Sequence, residues 1–185
     1  MSQQYPKEYE KTVTLLDGTN VFLRPELSTD TEMLWQMFST LQPESLSFLR
    51  GRFSRQTINR WTENIDYDKH LMVVAVVEEK GNRKIIASAT LSFFKDFPAF
   101  SHKAGLAIKV HDDYHNKGLG KELTRHMLDI AKKKKLRKIS LGMREDNAKA
   151  IHLYEKFRFK VEARLKDEHL IDGKYYDDYI MSVFL

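Results

Sequence analysis

Two glycines, Gly118 and Gly120, sit where a two-residue repeat of apolar side chains gives way to a helical one. Leu106, Ile108 and Val110 alternate at the period of a strand, while Leu119, Leu123, Met127 and Ile130 recur at helical spacing. The stretch from Ala104 to Arg125 therefore reads as strand, tight polar loop, helix. A residue without a β-carbon lets ligand atoms approach the main chain closely. The free N–H groups of a helix's first turn point outward with a partial positive charge. Together they make a cradle for an anion, most naturally a phosphate.

The spacing narrows the choice of phosphate ligand. A Walker loop needs Gly-x-x-x-x-Gly-Lys-Ser/Thr, but here Lys121 follows only Gly-x-Gly and precedes Glu122; the dinucleotide fingerprint lacks its third glycine. His115-Asn116-Lys117-Gly118-Leu119-Gly120 instead resembles the Arg/Gln-x-x-Gly-x-Gly/Ala pyrophosphate loop of the GCN5-related N-acetyltransferase (GNAT) superfamily, with His115 where Arg or Gln is usual. Further along, Asn147-Ala-Lys-Ala-Ile-His-Leu-Tyr154-Glu-Lys-Phe-Arg-Phe159 resembles a second motif of that superfamily, Asn-x-x-Ala-x-x-Leu-Tyr-x-Lys-x-Gly-Phe, with Arg158 in place of the glycine. Leu23-Arg24-Pro25 followed by Asp30 is similar to its first strand and helix cap, and the segment from Asp172-Gly173 through Met181 to its C-terminal hairpin. The resemblance spans residues 12–185. Leu15-Leu16-Asp17-Gly18 and Leu41-Gln42-Pro43-Glu44-Ser45 are also similar to the Pat-type protein lysine acetyltransferases.

The resemblance implies an α/β (α+β) fold: a mixed, mostly antiparallel central sheet, splayed in the middle between the strands ending at Val110 and Met143, with helices on both faces. It implies acetyl-CoA as cosubstrate and an amine as acceptor, joined by direct attack in a ternary complex. Ile108 and Val110 would pair with the pantetheine arm, and His115, Asn116, Lys117, Gly118, Leu119, Gly120 and Lys121 would line the pyrophosphate. Asn147 would position the arm. Tyr154 would give a proton to the departing thiolate, and a main-chain N–H at Val110 would stabilise the oxyanion. Read without the motif, Tyr154 is a core aromatic between Ile151 and Phe157, and Asn147 a helix cap.

An amine must be neutral to attack, yet a free lysine is protonated at neutral pH, so a base is useful. Relatives use a glutamate at the position occupied here by Gly105. His102, Glu78 and the acidic cluster around Asp177 are the candidates to replace it. The same absence motivates a second reading, an acyl-CoA-binding regulator without catalysis. The acceptor, a protein lysine or a small amine such as a polyamine or aminoglycoside, would be chosen by loops such as residues 41–53 and 93–100.

The rest of the chain fits one α/β domain over residues 12–185, behind a flexible segment over 1–11. Asp17-Gly18 predicts a two-residue type I′ hairpin between Val13–Leu16 and Val21–Leu23. Ser28 or Thr29 predicts the cap of a helix carrying Met33, Leu34, Met37, Phe38 and Leu41, broken by Leu41–Ser45. A helix follows over residues 55–65, then strands over 70–77 and 85–93 joined by a turn at 79–83. The aromatic run from Phe93 to Phe100 reads first as core packing, second as a substrate-side wall. Further strands are expected at 139–143, 159–165 and 175–184. A net charge of +5 favours anionic ligands in general, nucleic acid included. Lys132–Lys135, however, reads as a solvated helix end, and no aromatic and basic residues interleave as in single-strand binders. With no cysteine, disulfides and thiolate metal sites are excluded; His111 and His115 fall in a loop, and no metal is expected. No signal-peptide core and no membrane-length apolar run is present, so a cytoplasmic location is expected.

Overall fold

The computed structural model describes residues 4–49 and 53–185. Eight strands form one sheet in the order β1-β2-β3-β4-β5-β6-β8-β7. They are β1 (Lys11–Thr14), β2 (Asn20–Pro25), β3 (His70–Glu79), β4 (Asn82–Phe93), β5 (Lys103–Val110), β6 (Lys138–Arg144), β7 (Lys160–Ile171) and β8 (Lys174–Phe184). The helices are α1 (Thr31–Ser39), α2 (Pro43–Ser47), α3 (Arg55–Glu63), α4 (Leu119–Lys133) and α5 (Ala148–Lys156). Every neighbouring pair of strands is antiparallel except β5 and β6.

Two apolar layers sandwich the sheet. On one face Leu119, Leu123, Met127 and Ile130 of α4, with Tyr154 of α5 and Phe159, pack on inward residues drawn from β1 to β8. The predicted helical stripe is thus the buried one. On the other face, Leu34, Met37 and Phe38 of α1 and Ile58 of α3 cover only Met72, Val74, Val76 and Ile85 of β3 and β4. Phe38 stacks on Phe53 at 4.4 Å, and Trp61 meets both rings edge-on. β3 is buried from both sides, which is why its sequence is a continuous apolar run rather than an alternation.

Three local expectations are corrected. The Asp17-Gly18 hairpin closes through Leu15 and Thr19 around a three-residue loop, and only Gly18 has a positive φ, whereas a type I′ turn needs two. That turn instead joins β3 to β4 at Lys80-Gly81, with φ of 52° and 78°, and recurs at Asp172-Gly173. Asp30, rather than Ser28 or Thr29, occupies the cap of α1, and its carboxylate takes two bonds from Arg24 and one from the Leu27 N–H. Pro43 does not only break α1; it opens α2, where the missing N–H costs nothing.

Part of the segment expected to be flexible makes contact with the rest of the fold. Tyr9 lies in the core and its carbonyl bonds to the Nε2 of buried His126, while Tyr5 donates to Glu10; residues 1–3 lie outside the described residues. Of the aromatic run, only Phe93 packs against the core, and Phe97 and Phe100 stay 60% and 45% exposed. No helix among the described residues is long and apolar enough to cross a membrane.

Candidate active site

β5 is paired with β4 along its length, from Ala87↔Val110 to Phe93↔Ala104. Toward β6 it pairs only at Lys103↔Lys138, Ala104↔Ile139 and Gly105↔Ser140. Beyond Gly105 the two strands part, and β6 continues against β8 alone. Successive residues of a strand turn their N–H and C=O to opposite sides. The His111 N–H donates to Ile86 O in β4, and the His102 carbonyl accepts from Arg137 and Lys138 beside β6. The main-chain groups of Leu106, Ile108 and Val110 therefore face the gap.

At the mouth of the gap, a turn over Asp112–Tyr114 leads to Asn116 and Gly118, both left-handed with φ of 61° and 87°, on either side of Lys117. Such alternation points successive N–H groups into one concavity. Gly118 caps α4 without a side-chain bond, and the first hydrogen bond there is Glu122 N–H to Gly118 O. The N–H groups of Leu119, Gly120 and Lys121 precede it and have no helical acceptor. The first hairpin clamps this loop. The Leu16 N–H donates to Lys117 O, Lys117 Nζ lies 3.2 Å from Asp17 and over the Tyr114 ring, and Leu16 would touch a β-carbon at Gly118 at 3.3 Å. Tyr114 in turn donates to Glu79, and burial with that carboxylate pushes its phenol up.

Gly120 has a structural task of its own. A β-carbon there would meet Leu153 of α5 at 3.3 Å, so a bulky residue would displace α5 and lower stability as well as change the cradle. His115 turns its ring back: Nε2 lies 3.1 Å from the Val110 carbonyl, with Asp112 3.8 Å from Nδ1. It braces the end of β5.

Tyr154 shows both of its readings at once. Its ring is buried against Phe159, 5.3 Å away and edge-on, and burial pushes its phenol well up. Yet the hydroxyl makes no hydrogen bond among the described residues. Asn147 is the cap of α5, its Oδ1 accepting the Ala150 N–H at 3.3 Å. The helix it starts ends at Arg158 in the left-handed conformation, φ 66°, where the motif's glycine would sit without strain.

Sequence reasoning missed what closes the gap at its outer end. Ser45 of α2 and Gln42 just before it bond to Asp112, and Lys109 Nζ donates to Ser45 O at 2.8 Å. Burial pushes the Lys109 ammonium down, against the nearby Asp112 charge. From the β6 side Arg144 forks onto Asp146, donates to Ser47 O and lies between the Phe48 and Tyr176 rings. The α2 segment thus ties the ends of both parted strands. No local signal marks these residues, because the bonds that join them to α2 and its approach span tens of positions in the chain. Residues 50–52 of the expected acceptor loop lie outside the described residues. His102 precedes β5, at the far end from Val110, and Asp177 is held well ionised by the Asp167 N–H and Arg164, which makes it a weak base.

Comparison with known proteins bears on the fold. The model of the acetyltransferase (GNAT) family matches residues 32–159. The chain is 34% identical over 86 residues to the L-amino acid N-acetyltransferase AaaT of Escherichia coli K12, covering 46% of this chain and 53% of that one. It is 27% identical over 124 residues to the spermidine N(1)-acetyltransferase of the same organism, covering 64% and 63%. The chain spans about half to two thirds of the length of these curated relatives. The GNAT domain of S. lividans PAT superposes with a TM-score of 0.77 at 20% identity over 98% of this chain and 100% of that one. The structure of yncA from Salmonella typhimurium with its cofactor acetyl-CoA gives 0.75 at 20% identity over 90% and 95%. At these identities, the likeness to solved structures is one of fold.

Proposed function

Since the chain belongs to the acetyltransferase (GNAT) family, we propose that it transfers an acetyl group from acetyl-CoA to a primary amine, which attacks the thioester directly. One observation carries the reading: strands β5 and β6 part after Gly105, and the gap runs out to the uncapped first turn of α4. The residues present fit the cosubstrate. The gap-facing main-chain groups of Ile108 and the N–H of Val110, whose carbonyl His115 holds, match the amides of an extended arm, as an added strand would. The N–H groups over Lys117–Lys121, flanked by His115 and Asn116, match a pyrophosphate. Acetyl-CoA, when bound, supplies an activated carbonyl and a thiolate leaving group.

Each residue's task follows from its place. Because the arm runs inward from α4, its thioester end is directed toward the apex at Gly105 and Ser140. Val110 lies five residues of extended strand out from that apex, so its N–H meets the arm rather than the reacting carbonyl, while His115 holds that residue's own carbonyl. Asn147 keeps its Nδ2 for the arm while Oδ1 caps α5. As the nitrogen bonds to the acyl carbon and the C–S bond breaks, Tyr154 gives its hydroxyl proton to the sulfur; the proton lost from nitrogen returns through water to the phenol. A high phenol pKa suits an acid that must stay protonated until the thiolate appears.

For the acceptor, the named relatives act on L-amino acids and on spermidine, which supports a small primary amine. An exposed lysine of a protein is the second reading, favoured by the openness of the sheet beside the gap, where Ala107 and Gly142 stay exposed in mid-strand. Thiol release from acetyl-CoA, measured against L-amino acids, polyamines and lysine peptides, tests both. Turnover with free amines and none with peptides establishes the first, and the reverse establishes the second. Saturable CoA binding with no turnover on any of them establishes the non-catalytic regulator instead.

A further inference from the structure

The second apolar layer stops at β4, so on that face the sheet from β5 onward is not roofed by α1 or α3. The residues that face outward there are small: Thr90 and Ser92 on β4, Gly105 and Ala107 on β5, Ser140 and Gly142 on β6. Across this floor runs one register row, His70↔Ser92↔Gly105↔Ser140, which reaches the apex of the gap across four strands and continues to Ser182 of β8, whose hydroxyl donates to Ser140 Oγ. Residues opposite one another in register point to the same face. His70 Nδ1 lies 3.1 Å from Ser92 Oγ. A β-carbon at Gly105 would meet only Ser92 Cβ, at 3.9 Å, so the space in front of Ser92 is open.

We propose that His70, acting through the Ser92 hydroxyl, takes the proton from the acceptor ammonium in the space above Gly105. This rests on the transfer reading given above. With its own proton on Nε2, the imidazole accepts at Nδ1 from Ser92 O–H. Ser92 Oγ accepts in turn from the ammonium, directly or through one water lying over Gly105. One proton leaves nitrogen, one passes from Ser92 to Nδ1, and the exposed ring passes it to solvent. The nitrogen lone pair is then free, on the side of the gap where the thioester arrives. Glycine at position 105 is what admits the amine or its water to Ser92. His70 is a positioning and relay residue, since Ser92 stands between it and the substrate.

Steady-state kinetics on the full chain tests the relay. His70→Ala and Ser92→Ala should each lower kcat by about a hundredfold while leaving the KM for acetyl-CoA and the calorimetric affinity for CoA unchanged. The double variant should be no slower than either single one. Gly105→Glu placed in the His70→Ala chain should recover most of the loss, because a carboxylate there reaches the same space without the relay; a merely structural His70 would not be rescued. Full activity in His70→Ala, additive losses, or no rescue by the glutamate overturns the relay and leaves the transfer reading standing. A parent enzyme that binds CoA but acetylates no amine overturns both.

Discussion

The two sides of β5 carry the same residues to opposite ends. Toward β4 each outward N–H and C=O is absorbed in an antiparallel ladder from Ala87↔Val110 to Phe93↔Ala104; toward β6 the ladder stops after Gly105↔Ser140. Buried main-chain groups are almost always paired, so a ladder that stops in the middle of a sheet leaves donors for water or a ligand. The difference teaches where this molecule can bind: at the one junction the sheet does not complete. Amide hydrogen exchange exposes the contrast most directly. The amides of Ile108 and Val110 should exchange about a thousandfold faster than those of Ala107 and Lys109, which differ from them only in the side they face. Saturating CoA should erase the difference. Equal protection without CoA would show that the gap is closed in solution.

The closed half hides its own unpaired group. Glu26 follows β2, extends the ladder through its N–H to Met72 O, and is 3% exposed with no partner for Oε2 among the described residues. Burial, with the Asp30 charge beside it, raises its pKa from 4.5 to about 8. Between those values the unfolded chain has lost this proton and the folded chain has kept it, so the folded state binds more protons and stability falls as pH rises. The contribution is complete below 4.5 and gone above about 8. Unfolding by urea across that window should show a loss on the order of 5 kcal/mol, which Glu26→Gln should abolish. A parallel decline in the variant would assign the pH dependence elsewhere.

Next in size is the chemistry at the open junction. Tyr154→Phe keeps the ring against Phe159 and removes only the unpartnered hydroxyl. A roughly hundredfold fall in kcat is expected, with the KM for acetyl-CoA and the melting temperature unchanged. If kcat and KM moved together, the hydroxyl would be a binding group rather than a proton donor.

Much of this was legible in the chain because it is local. The change of period at residues 106–130 located β5, the cradle and α4, and the capping asparagine and the aromatic at helical spacing located α5. What was not legible depends on register. His70, Ser92 and Gly105 become neighbours only when three strands align, and nothing at positions 70 or 92 announces it. The staple of Ser45, Lys109, Asp112 and Arg144 is likewise made by long-range pairing. Turn chemistry misled in a different way. Asp17-Gly18 carries a stronger hairpin signal than Lys80-Gly81, but the first loop is widened by the Leu15–Thr19 pair and held by Lys117, while the second is free to adopt the turn its strands prefer. The aromatic run failed because hydrophobicity says that Phe97 and Phe100 gain by burial, not that a partner surface lies within reach.

The smallest effect separates backbone conformation from site. Gly81 closes the hairpin of the completed junction and Gly118 stands at the mouth of the open one, with φ of 78° and 87°. An alanine at either must hold a left-handed conformation, at a cost of about 1 kcal/mol. Their surroundings differ: a β-carbon at Gly81 meets nothing within 4 Å, whereas at Gly118 it meets Leu16 at 3.3 Å, and the same loop carries the free N–H groups of α4. Gly81→Ala and Gly118→Ala should therefore lower stability by similar amounts, while only Gly118→Ala weakens CoA binding in calorimetry. Equal affinity in the two variants would mean that the cradle tolerates movement of its cap, and that the grip on phosphate lies deeper in the first turn, at Gly120 and Lys121.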